Sequence, residues 1–390
     1  MDSMAWIGLG VAFVASLIAV AIVHSQVVRF AIKRKIVDNP NGRKLQREPV
    51  PVLGGVAVFF GLLVGMSVAS IFMSTAALLP VLLAMSIMLC IGVADDVAGL
   101  SPKLRFIIEI AVTIMLVFMT DTSLNDFQGL WDIREVSLWV SIPLTIVAVV
   151  GIINAINLVD GVDGLSSGYC IMASVAFGML FWKSGDVRML LLCTISVGSL
   201  LPFFFHNVFG RKTKMFIGDG GSLMMGLVMS AYVVSTICSD STCEKFAGNG
   251  VGLVPFTLAV MCVPVFDTVR VMVMRILRHT SPFHPDKTHL HHLFIDLGFS
   301  HVGTTVCVLS LNLLVVLCWW LSFKFGASVD VQFYVVMISG MLATAGFYRF
   351  MRKQHARNGL VWRFMQRLGA KTKVENNRGW LALQRVVDRV

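Results

Sequence analysis

The stretch NAINLVDGVDGLSSG, residues 154–168, combines amide and carboxylate side chains at a helical spacing. Asn157, Asp160 and Asp163 follow one another at intervals of three residues, so a helical turn would place them on one side. Oxygen ligands of this kind suit a hard cation such as Mg²⁺. A loop in which aspartates cap a helix and glycines form turns is the alternative that the pattern leaves open.

A second acidic motif is GVADDVAGLSPKLRF, residues 92–106, which holds Asp95 and Asp96 at the end of an apolar segment. Two adjacent carboxylates need a cation or hydrogen-bond donors nearby. On a helix they point about 100° apart, so one can face a pocket while the other faces the scaffold. Lys103 and Arg105 follow closely and are candidates for binding a phosphate. A simple polar helix end is the alternative.

Two further motifs carry glycine and histidine. FIGDGGS, residues 216–222, places Asp219 at the glycine-rich start of a helix, where free backbone N–H groups would attract an anion. SPFHPDKTHLHHL, residues 281–293, is rich in imidazole: it contains His284, His289, His291 and His292. Zinc is disfavoured because no cysteine or carboxylate cluster accompanies these side chains. Histidines that hold a sugar or a diphosphate are predicted instead.

The composition identifies the elements that must position these residues. The chain has 390 residues, of which 56% are hydrophobic and 14% charged. Its mean hydropathy is +0.80. Such values are typical of an all-α polytopic membrane protein, whose spanning helices need about 20 apolar residues each. We count eleven candidate spans, at residues 5–24, 54–73, 76–93, 104–120, 136–156, 165–182, 187–205, 220–238, 251–274, 303–324 and 331–348.

The distribution of lysine and arginine predicts the orientation. With eleven spans and the N-terminus outside, most basic residues fall in cytoplasmic loops or in a basic cytoplasmic tail, residues 349–390, behind a membrane domain of residues 1–348. Five basic residues remain outside: Arg134, Lys183, Arg188, Lys245 and Lys324. All four polar motifs then lie on the cytoplasmic face. Basic residues scattered between helices do not form a nucleic-acid surface, so no nucleic-acid partner is expected.

Two residue pairs outside these motifs carry structural predictions. Asp267 and Arg270 lie three residues apart in the ninth candidate span and are expected to pair within the bundle. Cys238 and Cys243 flank an outer loop. They would form a disulfide if that face is a periplasm, or else remain two unrelated thiols.

Carboxylates, an amide, a glycine-rich helix start, basic residues and histidines at one membrane–water boundary predict a site for a Mg²⁺-bound diphosphate. Such a site could join a soluble substrate to a lipid. At this point the chain resembles the polyprenyl-phosphate N-acetylhexosamine-1-phosphate transferases, over about residues 36 to 300. The resemblance rests on five motifs in order: RKLQREPVPVLGG, ADDVAGLSPKLR, NAINLVDGVDGLSSG, FIGDGGS and SPFHPDKTHLHHL.

The resemblance implies individual roles. Asp219 matches the main Mg²⁺ ligand, which Asn157 or a neighbour assists, with Mn²⁺ as a substitute metal. Asp95, next to Asp96, matches a proposed base for the lipid phosphate. The remaining matches concern substrate binding: Asp160 beside the diphosphate, Asp163 at the uracil ring, Lys103 and Arg105 near the lipid phosphate, and His289, His291 and His292 at the sugar. Because a phosphate monoester has a second pKa near 6, we predict that Asp95 orients the lipid phosphate and is not a base.

The chain departs from the family pattern at two positions, where Gln46 replaces a histidine and Lys287 an arginine. The expected substrates are UDP-GlcNAc and undecaprenyl phosphate, in the lipid of a bacterial inner membrane. The expected product would start enterobacterial common antigen or O-antigen synthesis. Another UDP-HexNAc or UDP-MurNAc-pentapeptide is the alternative donor. An ion-coupled secondary transporter is a remote alternative, and a homodimer is left open.

Overall fold

The structure is a computed structural model that describes residues 3–39, 48–133, 135–246, 248–281, 287–374 and 377–389. This part of the chain is mainly α-helical, with one short antiparallel pair of strands, β1 Val37–Asp38 and β2 Val50–Pro51. The first eight helices are α1 Ser3–Arg34, α2 Gly54–Ala69, α3 Leu79–Ala98, α4 Pro102–Thr120, α5 Leu138–Val159, α6 Leu165–Ser184, α7 Val187–Phe209 and α8 Gly218–Cys238.

The second half of the chain contains shorter helices as well as spanning ones. These helices are α9 Asp240–Phe246, α10 Leu253–Val260, α11 Cys262–Leu277, α12 Leu290–Asp296, α13 His301–Lys324, α14 Val329–Met341, α15 Phe347–Ala356, α16 Leu360–Lys371 and α17 Arg378–Val387. A π-helical segment, Leu342–Gly346, joins α14 to α15. The predicted boundary between membrane domain and tail therefore falls inside a continuous helical stretch.

Each of the eleven predicted segments contains a helix, which confirms an all-α polytopic membrane protein. Among the described residues, eight helices are long and apolar enough to cross a membrane, and α10 with α11, bent by 73°, could make a ninth. α2 falls outside this set because it has only 16 residues. α4 begins with charged side chains, including Lys103 and Arg105. The count of eleven spans and the orientation remain predictions.

α8 is the most enclosed of the candidate spanning helices, because 78% of its most apolar stretch of 18 residues is buried. It packs against α3, α5, α2 and α6. Glycines allow the closest of these contacts, because a Cβ on Gly55 would lie 2.4 Å from the Gly221 Cα, and one on Gly92 would lie 2.3 Å from the Gly220 Cα. Backbone therefore meets backbone, and the start of α8 lies between the start of α2 and the end of α3.

The C-terminal part of the chain packs against the bundle. On α16, Trp362 and Gly369 are buried, and a Cβ on Gly369 would meet the backbone of the turn before α13. α17 packs against α7.

The two cysteines that could form a disulfide lie at and shortly after the C-terminal end of α8. Cys238 and Cys243 are free thiols. Their sulfur atoms lie near different backbone carbonyl oxygens, so the structure has the unrelated thiols and not the disulfide.

Candidate functional site

The ends of α3, α5 and α7 and the start of α8 surround a cavity of about 800 Å³. A volume of this size is typical of a small-molecule site. Six of the residues singled out from the sequence line it: Asp96, Asn157, Asp160, Asp163, Asp219 and His292. Residues of all four polar motifs therefore meet in one place.

Asp219 lies in the first turn of α8 and is held by the end of α5. The Asn157 amide Nδ2 donates hydrogen bonds to Asp219 Oδ1, at 2.6 Å, and to Ser222 Oγ, at 2.8 Å. A carboxylate restrained in this way keeps its second oxygen in a fixed direction. In this arrangement Asn157 acts as a donor that orients Asp219; its predicted role as a metal ligand stays a prediction.

Asp96 is the aspartate of the adjacent pair that faces the cavity. Its carboxylate accepts hydrogen bonds from the backbone N–H groups of Asp219, at 3.0 Å, and Gly220, at 3.3 Å. The first turn of α8 has unpaired N–H groups that favour an anion. The sequence predicts a ligand anion at this helix start, whereas in the structure the two N–H groups are bound by Asp96.

Asp160 follows α5 directly and completes a group of carboxylates around the cavity. Burial and the neighbouring charges of Asp219, Asp96 and Asp163 raise the pKa of Asp160 to about 8. Carboxylates that repel one another in this way are stabilised by a cation. The described residues contain no group of three acidic, histidine or cysteine side chains placed as a complete metal shell.

A Mg²⁺ ion fits these carboxylates in spite of that result. Mg²⁺ commonly takes one or two protein carboxylates and fills its remaining positions with water and substrate phosphates. Asp219 is already oriented toward the cavity by Asn157, and Asp160 lies nearby. The donor set is entirely oxygen, which suits a hard cation and disfavours zinc.

Asp163 lies on another wall and pairs with a lysine and a histidine that the sequence motifs did not single out. Its Oδ2 is 2.6 Å from Lys214 Nζ and 2.7 Å from His301 Nδ1. Burial alone would raise the pKa of Asp163, but His301 and Lys214 outweigh it and hold that pKa below its usual range. Oδ1 is buried and has no hydrogen-bond partner within the described structure.

Three residues of this wall were missed at the sequence level. Asn207 lies near the end of α7 and Lys214 lies in the loop between α7 and α8, and neither belongs to a motif singled out from the sequence. Asn207 Oδ1 accepts a hydrogen bond from the Gly164 N–H at 2.6 Å and so fixes the turn after Asp163. His301 begins α13, outside every motif, and only the fold brings it to the cavity.

Asp95, in contrast, belongs to a polar network behind the cavity wall. Its Oδ1 accepts a hydrogen bond from the Leu100 N–H at 2.7 Å, and its Oδ2 lies 3.2 Å from Arg105 Nη1. Arg105 also contacts Glu109, whose carboxylate accepts a hydrogen bond from the Asn154 amide. These contacts join α3, α4 and α5, so Asp95 and Arg105 brace the helices that carry the cavity residues.

The residues that the sequence predicts near the lipid phosphate therefore lie outside this cavity. Asp95, Lys103 and Arg105 do not line it, and Lys103 is exposed to the surroundings. Adjacent residues on a helix diverge, and here Asp96 points to the cavity while Asp95 points to α4.

The histidines divide between structural and cavity-lining positions. His289 Nδ1 lies 2.9 Å from Asp267 Oδ2, and Asp267 pairs with Arg270 at 2.6 Å, as predicted for that pair. His291 is buried, with its Nε2 2.6 Å from where a Cβ on Gly161 would lie. Of the described histidines of this motif, His292 is the one that lines the cavity.

The environment of His291 keeps its ring neutral. Burial lowers the pKa of His291 well below its ordinary value, and the neighbouring His292 and His289 lower it further. Gln46 and His284 lie outside the described residues, and Lys287 is exposed. Within its described residues, the predicted sugar-binding loop thus contributes His292 to the cavity, whereas His289 and His291 are buried.

Comparison with known proteins gives a consistent result. The profile of glycosyl transferase family 4 matches residues 78–237. A protein of Bacillus subtilis (strain 168), called a probable undecaprenyl-phosphate N-acetylglucosaminyl 1-phosphate transferase, is 33% identical over 292 residues, which cover 75% of this chain and 78% of that protein. The residues that the family profile matches, 78–237, contain the cavity aspartates but neither the histidine motif nor α17.

Enterobacterial proteins give the same picture. The undecaprenyl-phosphate alpha-N-acetylglucosaminyl 1-phosphate transferase of Escherichia coli (strain K12) is 31% identical over 276 residues, covering 70% of this chain and 72% of that protein. Its counterpart in Salmonella typhi is 29% identical over a segment of the same length and coverage.

Proposed function

Because this chain belongs to glycosyl transferase family 4, together with the undecaprenyl-phosphate N-acetylglucosaminyl 1-phosphate transferases, we propose that it joins a sugar phosphate to a lipid phosphate. The donor is UDP-GlcNAc and the acceptor is undecaprenyl phosphate. An oxygen of the lipid phosphate attacks the β-phosphorus of the donor, and the bond from that phosphorus to the bridging oxygen breaks. The products are undecaprenyl-diphospho-GlcNAc and UMP.

One observation carries this proposal: Asp219, oriented by Asn157, stands in a cavity with Asp96 and Asp160 at one end of the helix bundle. A transporter that couples ions to substrate would be expected to place such acids near the bilayer midplane, between broken helices. Here each acid lies within a turn of a helix end. A site at the end of a bundle can receive a soluble and a lipid substrate together.

The chain's own groups divide the work as follows. Asp219 and Asp160 would hold Mg²⁺, which when bound neutralises diphosphate oxygens and the charge that develops on the leaving group. Asp96 fixes the first turn of α8, so Asp219 does not move when substrate enters. Asp163 lines the cavity and would lie at the uracil ring of the donor. His292, which lines the cavity, would contact the sugar.

The finer assignments are also proposals. We place the protein in a bacterial inner membrane, with eleven spans and the cavity on the cytoplasmic side, where UDP-sugars occur. Its product would start O-antigen or enterobacterial common antigen synthesis. Because a relative from Bacillus subtilis carries the same kind of name, the sequence relationship is compatible with other polysaccharide products.

The test is a membrane assay with radiolabelled UDP-GlcNAc, undecaprenyl phosphate and Mg²⁺. We expect label in the lipid fraction and release of UMP, with no transfer by Asp219→Ala or after EDTA treatment, and recovery when Mg²⁺ or Mn²⁺ is restored. Transfer only from another UDP-HexNAc, or from UDP-MurNAc-pentapeptide, would keep the reaction and change the donor. A folded protein that transfers from no nucleotide sugar would overturn the proposal.

A further inference from the structure

The C-terminal helix α17 forms part of the cavity wall, although it lies far from every motif in the chain. Trp380, Leu381 and Gln384 line the cavity together with the end of α7. The Trp380 ring packs on Phe209, with 4.7 Å between ring centroids. α17 follows the last spanning helix by more than twenty residues, and it reaches the site only because the chain folds back.

Asp388, directly after α17, fastens this helix to the loop behind α7. Its Oδ1 accepts hydrogen bonds from the backbone N–H groups of Arg211, Lys212 and Thr213 at 3.0, 3.0 and 3.3 Å. The Thr213 hydroxyl adds a fourth bond at 3.1 Å. Three consecutive N–H groups around one carboxylate oxygen form an anion-binding nest, which here is filled by the chain itself.

The loop that Asp388 binds leads straight into the site. Thr213 is also held from the bundle side, because its carbonyl oxygen lies 2.8 Å from His24 Nε2 and its hydroxyl lies 2.9 Å from His206 Nδ1. The next residue is Lys214, which pairs with Asp163 in the cavity. The position of α17 and the position of Lys214 therefore depend on the same short loop.

We propose that α17 is a wall of the donor pocket: Trp380 and Gln384 contact the bound nucleotide sugar, and Asp388 is a positioning residue that holds them there. This inference rests on the proposed function, since it concerns the same cavity. The pocket wall near α17 carries Arg211 and Lys214, which suits a water-soluble anionic ligand. An indole face and an amide are groups that stack on and hydrogen-bond to a nucleobase or sugar ring.

The donor, and not the lipid, is the substrate that this wall would contact. α17 has no fully buried residue, and Leu383 and Val386 remain exposed away from the cavity. The helix is too short to span a membrane and packs beside the loop of polar residues 210–214. A polyprenyl chain would instead lie along the apolar sides of the spanning helices.

Kinetics provide the first test, with full-length protein. For Trp380→Ala and for Asp388→Ala we expect the KM for UDP-GlcNAc to rise about tenfold, with the KM for undecaprenyl phosphate unchanged. The double variant should have a KM for UDP-GlcNAc no higher than that of the more impaired single variant, because both changes disable the same wall. Leu383→Ala, on the exposed side of the same helix, is the matched control and should behave as wild type.

Labelling provides a second readout that does not need activity. A maleimide should modify Gln384→Cys, and UDP-GlcNAc or UDP should protect that position, whereas Leu383→Cys should be modified equally with and without nucleotide. Wild type measures labelling of the eight native cysteines. The inference would be overturned if wild type is active, the donor KM is unchanged in Trp380→Ala, and nucleotide does not protect Gln384→Cys. Inactive wild type would overturn the proposed function, and protection by UDP would still test the wall.

Discussion

The carboxylate of Asp96 accepts a hydrogen bond from the backbone N–H of Asp219 at 3.0 Å, so one acid of the cavity holds the helix start that carries another. We expect Asp96→Ala to lose this cap, at a cost of about 1 kcal/mol in the free energy of unfolding, and to lower transfer by at least about 100-fold because Asp219 is no longer fixed. Thermal unfolding in detergent and the transfer assay measure the two effects.

The matched control is Ser328→Ala, which removes the side-chain cap of α14. Its stability loss should be similar, whereas transfer by the folded protein should be unchanged. Equal losses of activity in both variants would show that Asp96 acts only through stability.

The role of Asp95 can be separated from that of a base by pH. Asp95 already binds Arg105 and the Leu100 N–H, and a lipid phosphate with a second pKa near 6 is mostly dianionic at neutral pH. We therefore expect the rate defect of Asp95→Asn to stay constant as pH rises from about 6 to about 8. A defect that disappears above about pH 7.5 would favour the base. Initial rates across this range decide between the two.

The pair between Lys214 and Asp163 predicts a non-additive double variant. Lys214→Met leaves a buried carboxylate with one partner fewer, which is costly, and should raise the donor KM. Asp163→Asn in the same chain removes that uncompensated charge, so stability should recover in the double variant while the donor KM stays high. Lys212→Met, an exposed lysine of the same loop, is the control. Additive stability losses would show that the two groups do not interact.

The neutral ring of His291 predicts how stability depends on pH. Its folded-state pKa lies below the ordinary value of 6.5, so the unfolded chain binds more protons than the folded one in the interval between the two values. Stability therefore falls as pH drops below 6.5, by about 1.4 kcal/mol per pH unit for this group until the folded pKa is reached. Melting temperatures at about pH 7 and pH 5 should differ less in His291→Gln than in wild type. Equal differences would contradict the prediction.

The glycine contact between α2 and α8 predicts a strong effect from one methyl group. The Cβ of Gly55→Ala would lie 2.4 Å from the Gly221 Cα, and a backbone atom cannot rotate away. We expect a fall in melting temperature and in the yield of folded protein, together with loss of transfer. Gly10→Ala, on α1 with nothing within 4 Å of the added atom, should be neutral. A stable, active Gly55→Ala would refute this packing.

Several features of the site follow from local sequence alone. The polar group at Asn157 and Asp160, the acidic pair at Asp95 and Asp96, and Asp219 at a helix start could each be recognised because helix ends and their spacing are local properties. The pairing of Asp267 with Arg270 is local for the same reason. The eleven helical segments could be predicted from the lengths of the apolar runs, since a helix buried in lipid needs an uninterrupted run of apolar residues.

Other features depended on contacts between distant residues. Only packing shows that Asp96 faces the cavity while Asp95 binds Arg105, because either rotation of α3 is compatible with its apolar sequence. His301 contacts Asp163, and Trp380 of α17 contacts Phe209, across more than a hundred residues of chain, and no motif records either approach. The sequence determined which residues could perform the chemistry and that they would lie at helix ends; the tertiary structure decided which of them share a cavity, because side-chain direction is fixed by helix-to-helix contacts.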